Sequence, residues 1–147
     1  MSQLDIDTAT HPQLFAWQGP IDRDWLTQRL SSYGWTIPGD LVDLWVLRGG
    51  GDLFESETIF RPTTDRHDGE DLGSATEYMR ASGLPAAGLV FHRGVFTSVI
   101  EQPLGEYLVF DQNFRQTQRF RGLDDWYLWL RGLFEEKYRL SPALRKP

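Results

Sequence analysis

Apolar residues along the chain switch between helical and alternating spacing, and the switches divide it into elements. Ahead of residue 15 no period is detectable, so residues 1–14 are expected to be a flexible or loosely docked N-terminus. From there Trp25, Leu26, Leu30 and Tyr33 recur at helical spacing behind Asp22, whose carboxylate suits an N-cap, and Ile21 suits a hydrophobic staple. Gly34 ends this helix. Pro38 and Gly39 break the chain again, Asp40 is placed to cap a second helix, and Leu41, Leu44, Trp45 and Arg48 follow at its spacing. Gly49, Gly50 and Gly51 then end it by taking positive φ.

Residues 53–60 (LFESETIF) have apolar ends and an acidic middle, the pattern of a strand with one wet face. Residues 61–73 form a polar loop. Ser74 and Glu77 make a capping box for a short helix with Tyr78 and Met79 inward, stopped by Gly83 and Pro85. Beyond residue 88 the spacing becomes that of strands. LVFHRGVFTSVI predicts a hairpin turning at His92, Arg93 and Gly94, and EYLVFD with residues 116–120 predicts another turning at Gln112 and Asn113. Asp124 caps a last helix that carries Trp126, Leu130, Leu133, Phe134 and Tyr138. The order defines an α+β fold: an antiparallel sheet of about four to six strands packed against N-terminal helices and a C-terminal helix. One domain covers residues 15–140, and residues 141–147 form a tail.

Composition supports a packed core: 40% of the residues are hydrophobic and 14% aromatic. Cys is absent, which removes thiol catalysis, disulfides and cysteine-based zinc sites. Acids stand near the N-terminus where a signal peptide has bases, and no apolar run reaches the roughly 18 residues a membrane span requires. A cytoplasmic protein without membrane contact is expected.

The net charge of -6 is unevenly placed. Residues 52–71 hold seven acids against Arg61 and Arg66, a balance of -5, whereas residues 112–147 hold eight bases against four acids. The acidic zone repels nucleic acid and steers a basic protein partner. Arg115, Arg119 and Arg121 alternate along the last strand as a small basic stripe, weak ground for nucleic-acid binding in an acidic protein.

Candidate chemistry is sparse. The three glycines follow a helix, where carbonyls and the negative dipole end repel phosphate, so they read as a C-cap and not an anion cradle. Within TTDRHDGED, His67 beside Asp65 or Asp68 has the types of a general base or a metal site, although the spacing fits no calcium loop. His92 reads as a turn residue with one hydrogen bond. No serine lies in a nucleophile elbow, and no motif implies a cofactor.

A helix with Trp25 and Leu30 leads to Ile37-Pro38; the helix LVDLWVLRGGG and Leu53-Phe54 follow; a strand pair and the aromatic helix DDWYLWL close the run, which spans about residues 21–133. Together these three pieces resemble the SUKH superfamily. The resemblance implies a bacterial immunity-type protein that neutralises a cognate protein toxin by association, without catalysis. The expected contact surface is acidic and comprises Glu55, Glu57, Asp65, Asp68, Glu70 and Asp71, suited to a basic nuclease; no cofactor or metal is expected, and the protein would be a monomer or homodimer. The alternatives are a regulatory or scaffold protein of the same fold, or a small metal-dependent hydrolase using His67.

Overall fold

The computed structural model describes residues 2–62, 71–85 and 88–143. The fold is α+β, with seven antiparallel strands where four to six are expected. In chain order the elements are α1 (Gln3–Thr10), a 3-10 turn (Pro12–Leu14), β1 (Phe15–Trp17), α2 (Arg23–Tyr33), α3 (Gly39–Arg48), β2 (Gly51–Leu53), β3 (Glu57–Ile59), α4 (Leu72–Ala81), β4 (Gly88–Arg93), β5 (Thr97–Glu101), β6 (Tyr107–Phe110), β7 (Gln116–Phe120), α5 (Leu123–Gly132) and α6 (Glu135–Tyr138). The strands lie in the order β1-β2-β3-β4-β5-β6-β7, so each pairs only with its neighbours in sequence.

Ser98 of β5 and Tyr107 of β6 fall on one face, because Ser98 opposes Val109 and Ile100 opposes Tyr107. On that face Ser98 accepts from Trp126 Nε1 of α5 at 2.9 Å, and the Tyr107 hydroxyl donates to Asp40 of α3. Trp126 also meets Phe91 edge-on at 5.0 Å between ring centres. Trp45 of α3 is fully buried, its indole N–H donating to the Phe60 carbonyl at 3.0 Å. Where short β3 ends, α4 takes over the side of β4: Thr76 Oγ1 accepts from the Val90 amide at 2.9 Å, and Arg80 donates to the Gly88 carbonyl.

Helix starts follow from donors that need partners. Asp22 accepts from the Trp25 amide, with Ile21 and Leu26 buried at the staple positions, as the sequence predicts. Trp25 itself turns outward. Asp40 does not cap its own helix, whose N-cap is Pro38; its Oδ2 accepts from the Leu123 amide at 2.7 Å and so serves the first turn of α5 from 83 residues away. Asp124 is therefore relieved of the capping role expected of it, and Gly122 is the N-cap. Likewise Asp71, and not Ser74, caps α4, accepting from the Ser74 amide at 2.7 Å; the earlier start buries Leu72, and Tyr78 faces solvent while Met79 faces the core.

The three glycines act through closeness more than through φ. Only Gly49 has positive φ, 71°, and a Cβ there would lie 2.3 Å from the Gly19 carbonyl oxygen. On Gly50 and Gly51, a Cβ would come within 2.7 Å of the Ile59 and 2.6 Å of the Ala16 carbonyl oxygen, respectively. Backbone thus packs on backbone where α3 meets the sheet.

The N-terminus is not frayed. Ser2 caps α1 through the Asp5 amide, and the fully buried Asp7 receives Arg131 Nε at 2.7 Å, Arg131 Nη2 at 3.2 Å, the Tyr127 hydroxyl at 2.6 Å and Gln3 Nε2 at 2.9 Å. Sequence patterning misses this helix because two of its three buried residues, Gln3 and Asp7, are polar. Burial alone would raise the Asp7 carboxyl, but hydrogen bonds from Arg131, Tyr127 and Gln3 outweigh it and hold the group below the usual carboxylate range. The Arg131 side chain also donates to the Ser141 carbonyl, drawing in residues assigned to a tail. Removing one member of a buried pair leaves the other charge unsatisfied, so Asp7→Ala is expected to lower unfolding free energy by about 3–5 kcal/mol; urea denaturation measures it, and a loss below ~1 kcal/mol would show α1 to be loosely held after all.

Candidate interaction surface

The six acids expected to form a contact surface part company in the structure. Glu57, the first residue of β3, is fully buried. Its Oε1 lies 2.8 Å from His92 Nε2, and its Oε2 receives the Ser56 hydroxyl at 2.7 Å and the Val95 amide at 3.2 Å. His92 Nδ1 lies 2.8 Å from Ser98 Oγ, which already accepts from Trp126 Nε1. Because an indole only donates, one proton arrangement, assigned from this network, satisfies every atom: Trp126 to Ser98, Ser98 to His92 Nδ1, His92 Nε2 to Glu57. Burial would raise the Glu57 carboxyl; hydrogen bonds from His92, Ser56 and Val95 outweigh it and hold it below its ordinary value.

Serine, histidine and glutamate in a row have the residue types of a hydrolytic triad. Here all three are fully buried, and Trp126 occupies the serine oxygen, so the row joins β3, β4, β5 and α5 as framework. His92 is accordingly a strand residue with two side-chain partners, not the turn residue with one that the sequence suggests; the turn lies just beyond it, and a Cβ on Gly94 would come within 2.1 Å of the Glu57 carboxylate.

Asp71 is also fully buried, committed to the α4 cap. Neither Glu57 nor Asp71 belongs to an exposed acidic face: a carboxylate surrounded by internal donors is withdrawn from solvent. Asp65, Asp68, Glu70 and His67 lie outside the described residues. The ends of their segment meet at a neck, because Arg61 and Asp71 form an isolated bridge and the Leu72 amide donates to the Arg61 carbonyl at 2.8 Å.

Glu55 is exposed, at a position the sequence misreads. Residues 53–60 are not one strand; β2 and β3 form a hairpin whose turn includes Phe54 (φ 52°) and Glu55 (φ 66°). Phe54 is driven inward, stacking on Phe134 at 4.8 Å with Phe15, Tyr127 and Tyr138 around it, while its carbonyl accepts from the Tyr138 hydroxyl. Glu55 is left at the tip, on the same hairpin as exposed Asp52, which accepts from Thr58 Oγ1 at 2.9 Å. No glycine, asparagine or aspartate in FES signals the turn. The available sign is that Leu53 and Phe54, successive residues of opposite facing in a strand, are both strongly apolar.

The basic stripe is partly spent: Arg119 Nη1 pairs with Glu101 at 3.0 Å and with Glu106 at 2.7 Å. Among the described residues no group of three His, Cys, Asp or Glu side chains is placed to hold a metal ion, and no helix is long and apolar enough to cross a membrane.

These features define a single-sheet α+β domain with a buried polar row and a strained acidic hairpin tip. Scanned against protein-family models and curated proteins, the chain matches none.

With its folded value depressed, Glu57 contributes stability that is complete above the ordinary glutamate pKa of about 4.3 and is lost as pH falls through the lower folded value. A melting series from neutral to acid pH is expected to show this loss, and Glu57→Gln to be less stable at neutrality with a shallower acid dependence. An unchanged slope would assign the acid sensitivity elsewhere.

Proposed function

We propose that the protein is a cytoplasmic immunity-type binding protein of the SUKH kind, which neutralises a cognate bacterial toxin by association and without catalysis. The observation that carries this reading is the tip of the β2–β3 hairpin. Two successive non-glycine residues at positive φ cost on the order of 1–3 kcal/mol each, and such strain persists where the surroundings enforce it, often at sites of function. Here the aromatic seat of Phe54 enforces it, and the result is an exposed Glu55 held at a defined place.

An acidic tip on a rigid hairpin suits a basic surface such as that of a nuclease, giving fast, salt-sensitive association. The segment with Asp65, Asp68 and Glu70 adds acids whose neck lies at the other end of β3 from the tip. The resemblance of PGDLVDLWVLRGGGDLF to the superfamily supports the same reading, since the structure uses that run as framework joining α3 to the sheet. A regulatory or scaffold protein of this fold would also present such a surface to a protein partner.

The test is co-purification with the product of the neighbouring gene, followed by binding kinetics. Glu55→Lys combined with Asp52→Lys is expected to slow association with a basic toxin about 100-fold at low salt, and Asp68→Lys with Glu70→Lys to report separately on the acids between Arg61 and Asp71. A partner whose affinity and salt dependence ignore both pairs would refute the acidic contact, and a neighbouring gene that encodes no toxin would favour the regulatory reading.

A further inference from the structure

A groove on the helical face lies apart from the hairpin tip. Its floor is Leu4 of α1, Leu44 of α3, and Leu123 and Tyr127 of α5, and Leu47 forms a wall with 57% of its surface exposed. Asp40, Asp43, Leu44 and Leu47 follow one another at i, i+3, i+4 and i+7, so α3 presents a single stripe to the opening. The volume is about 180 Å³. That is less than the roughly 300–1,000 Å³ of sites for drug-sized ligands and cofactors, and enough for one or two side chains.

The rim is acidic. Asp5, Asp40, Asp43 and Asp124 line it, against two cations: Arg48, 2.8 Å from Asp5, and Arg23, 2.8 Å from Asp43. Asp40 is held by neutral donors, the Tyr107 hydroxyl and the Leu123 amide, and Asp124 pairs with no cation among the described residues. Among the described residues, two of the four carboxylates therefore have no counter-charge. Burial first, and then Asp40 and Asp124, raise the pKa of the Tyr107 phenol, so the two negative charges act on the same place.

We propose that this groove docks a segment of a partner protein that inserts one apolar side chain past Leu47 and flanks it with lysine or arginine. The apolar floor supplies the gain from burial, and the flanking cations supply the charges that Asp40 and Asp124 lack. Nucleic acid is repelled by the rim. A wholly apolar segment would desolvate two unpaired carboxylates. A second copy of this chain, pairing by a two-fold axis, would bring the same acidic rim onto itself. This surface is independent of the hairpin tip and of the toxin reading.

The probe is a fluorescent amphipathic helical peptide of lysine and leucine, titrated by anisotropy against the full chain. Saturable binding is expected, about tenfold weaker for Leu47→Ser and less salt-dependent for Asp124→Asn, both substitutions at exposed positions. A lysine-only peptide of equal charge and a glutamate–leucine peptide are expected to bind far more weakly. Equal binding of the lysine-only peptide, or indifference to Leu47→Ser, would reduce the groove to unspecific attraction and overturn the proposal. A homodimer in sedimentation that Leu47→Ser dissolves would overturn it in favour of a second copy. The hairpin tip takes no part in the titration, so either surface can fail alone.

Discussion

A carboxylate taken out of water must be met by donors, and in this protein those donors come mostly from far along the chain. The buried Asp7 is satisfied by Tyr127 and Arg131 and the buried Glu57 by His92, while Asp40, on an exposed residue, receives the same kind of long-range donors, Tyr107 and the amide of Leu123. Each carboxylate is therefore a cross-link as well as a polar group. Asp7 fastens α1 to α5, Glu57 binds the β2–β3 hairpin to β4 and the turn after it, and Asp40 sets the start of α5 against α3 and β6. The sheet supplies neighbour-to-neighbour pairing; these three groups supply the closure that pairing alone does not. Packing holds the layers together, and the carboxylates decide how the layers are aligned.

The same constraint changes the meaning of the acidic composition. A count along residues 52–71 treats every acid as surface charge, yet Glu57 and Asp71 are spent inside the fold. Among the described residues of that stretch, Asp52 and Glu55 of the β2–β3 hairpin stay exposed, and a second acidic group, the aspartates around the helical groove, comes from elsewhere in the chain. Charge that is dense in sequence is dispersed in space, and charge that is scattered in sequence, from Asp5 through Asp40 and Asp43 to Asp124, is gathered.

Elements with strong local chemistry were legible. Asp22 and Gly34 bracket α2, the aromatic period marks α5, and the two C-terminal hairpins follow from alternation between turn residues. Three of the misreadings share a cause: a long-range partner overrode a local rule. Asp40 looks like the cap of its own helix and serves another. Gln3 and Asp7 look solvent-facing, and are buried because Arg131 and Tyr127 wait for Asp7. Phe54 and Glu55 violate turn chemistry because an aromatic cluster assembled from β1, α5 and residues 134–138 pulls Phe54 inward. Of the expected surface, Glu55 alone among the described residues stands exposed. The α3 stripe of the groove was present in the spacing all along, but a groove requires α1 and α5 beside it, and nothing local announces their arrival.

The strand order has a temporal side. In a sheet where every strand pairs with its neighbours in sequence, segments can associate as they emerge from the ribosome, with little loop entropy to overcome. Asp7 departs from that pattern, because Arg131 follows it by 124 residues. At roughly 5–20 residues per second, that is a wait of about 6–25 s in which Asp7 has no ionic partner, although Asp5 of the same helix can already meet Arg48, while the sheet can be assembling beside it. The buried ion pair of α1 thus forms only after the strands it closes over have emerged, and Asp7 acts as the fold's closing latch.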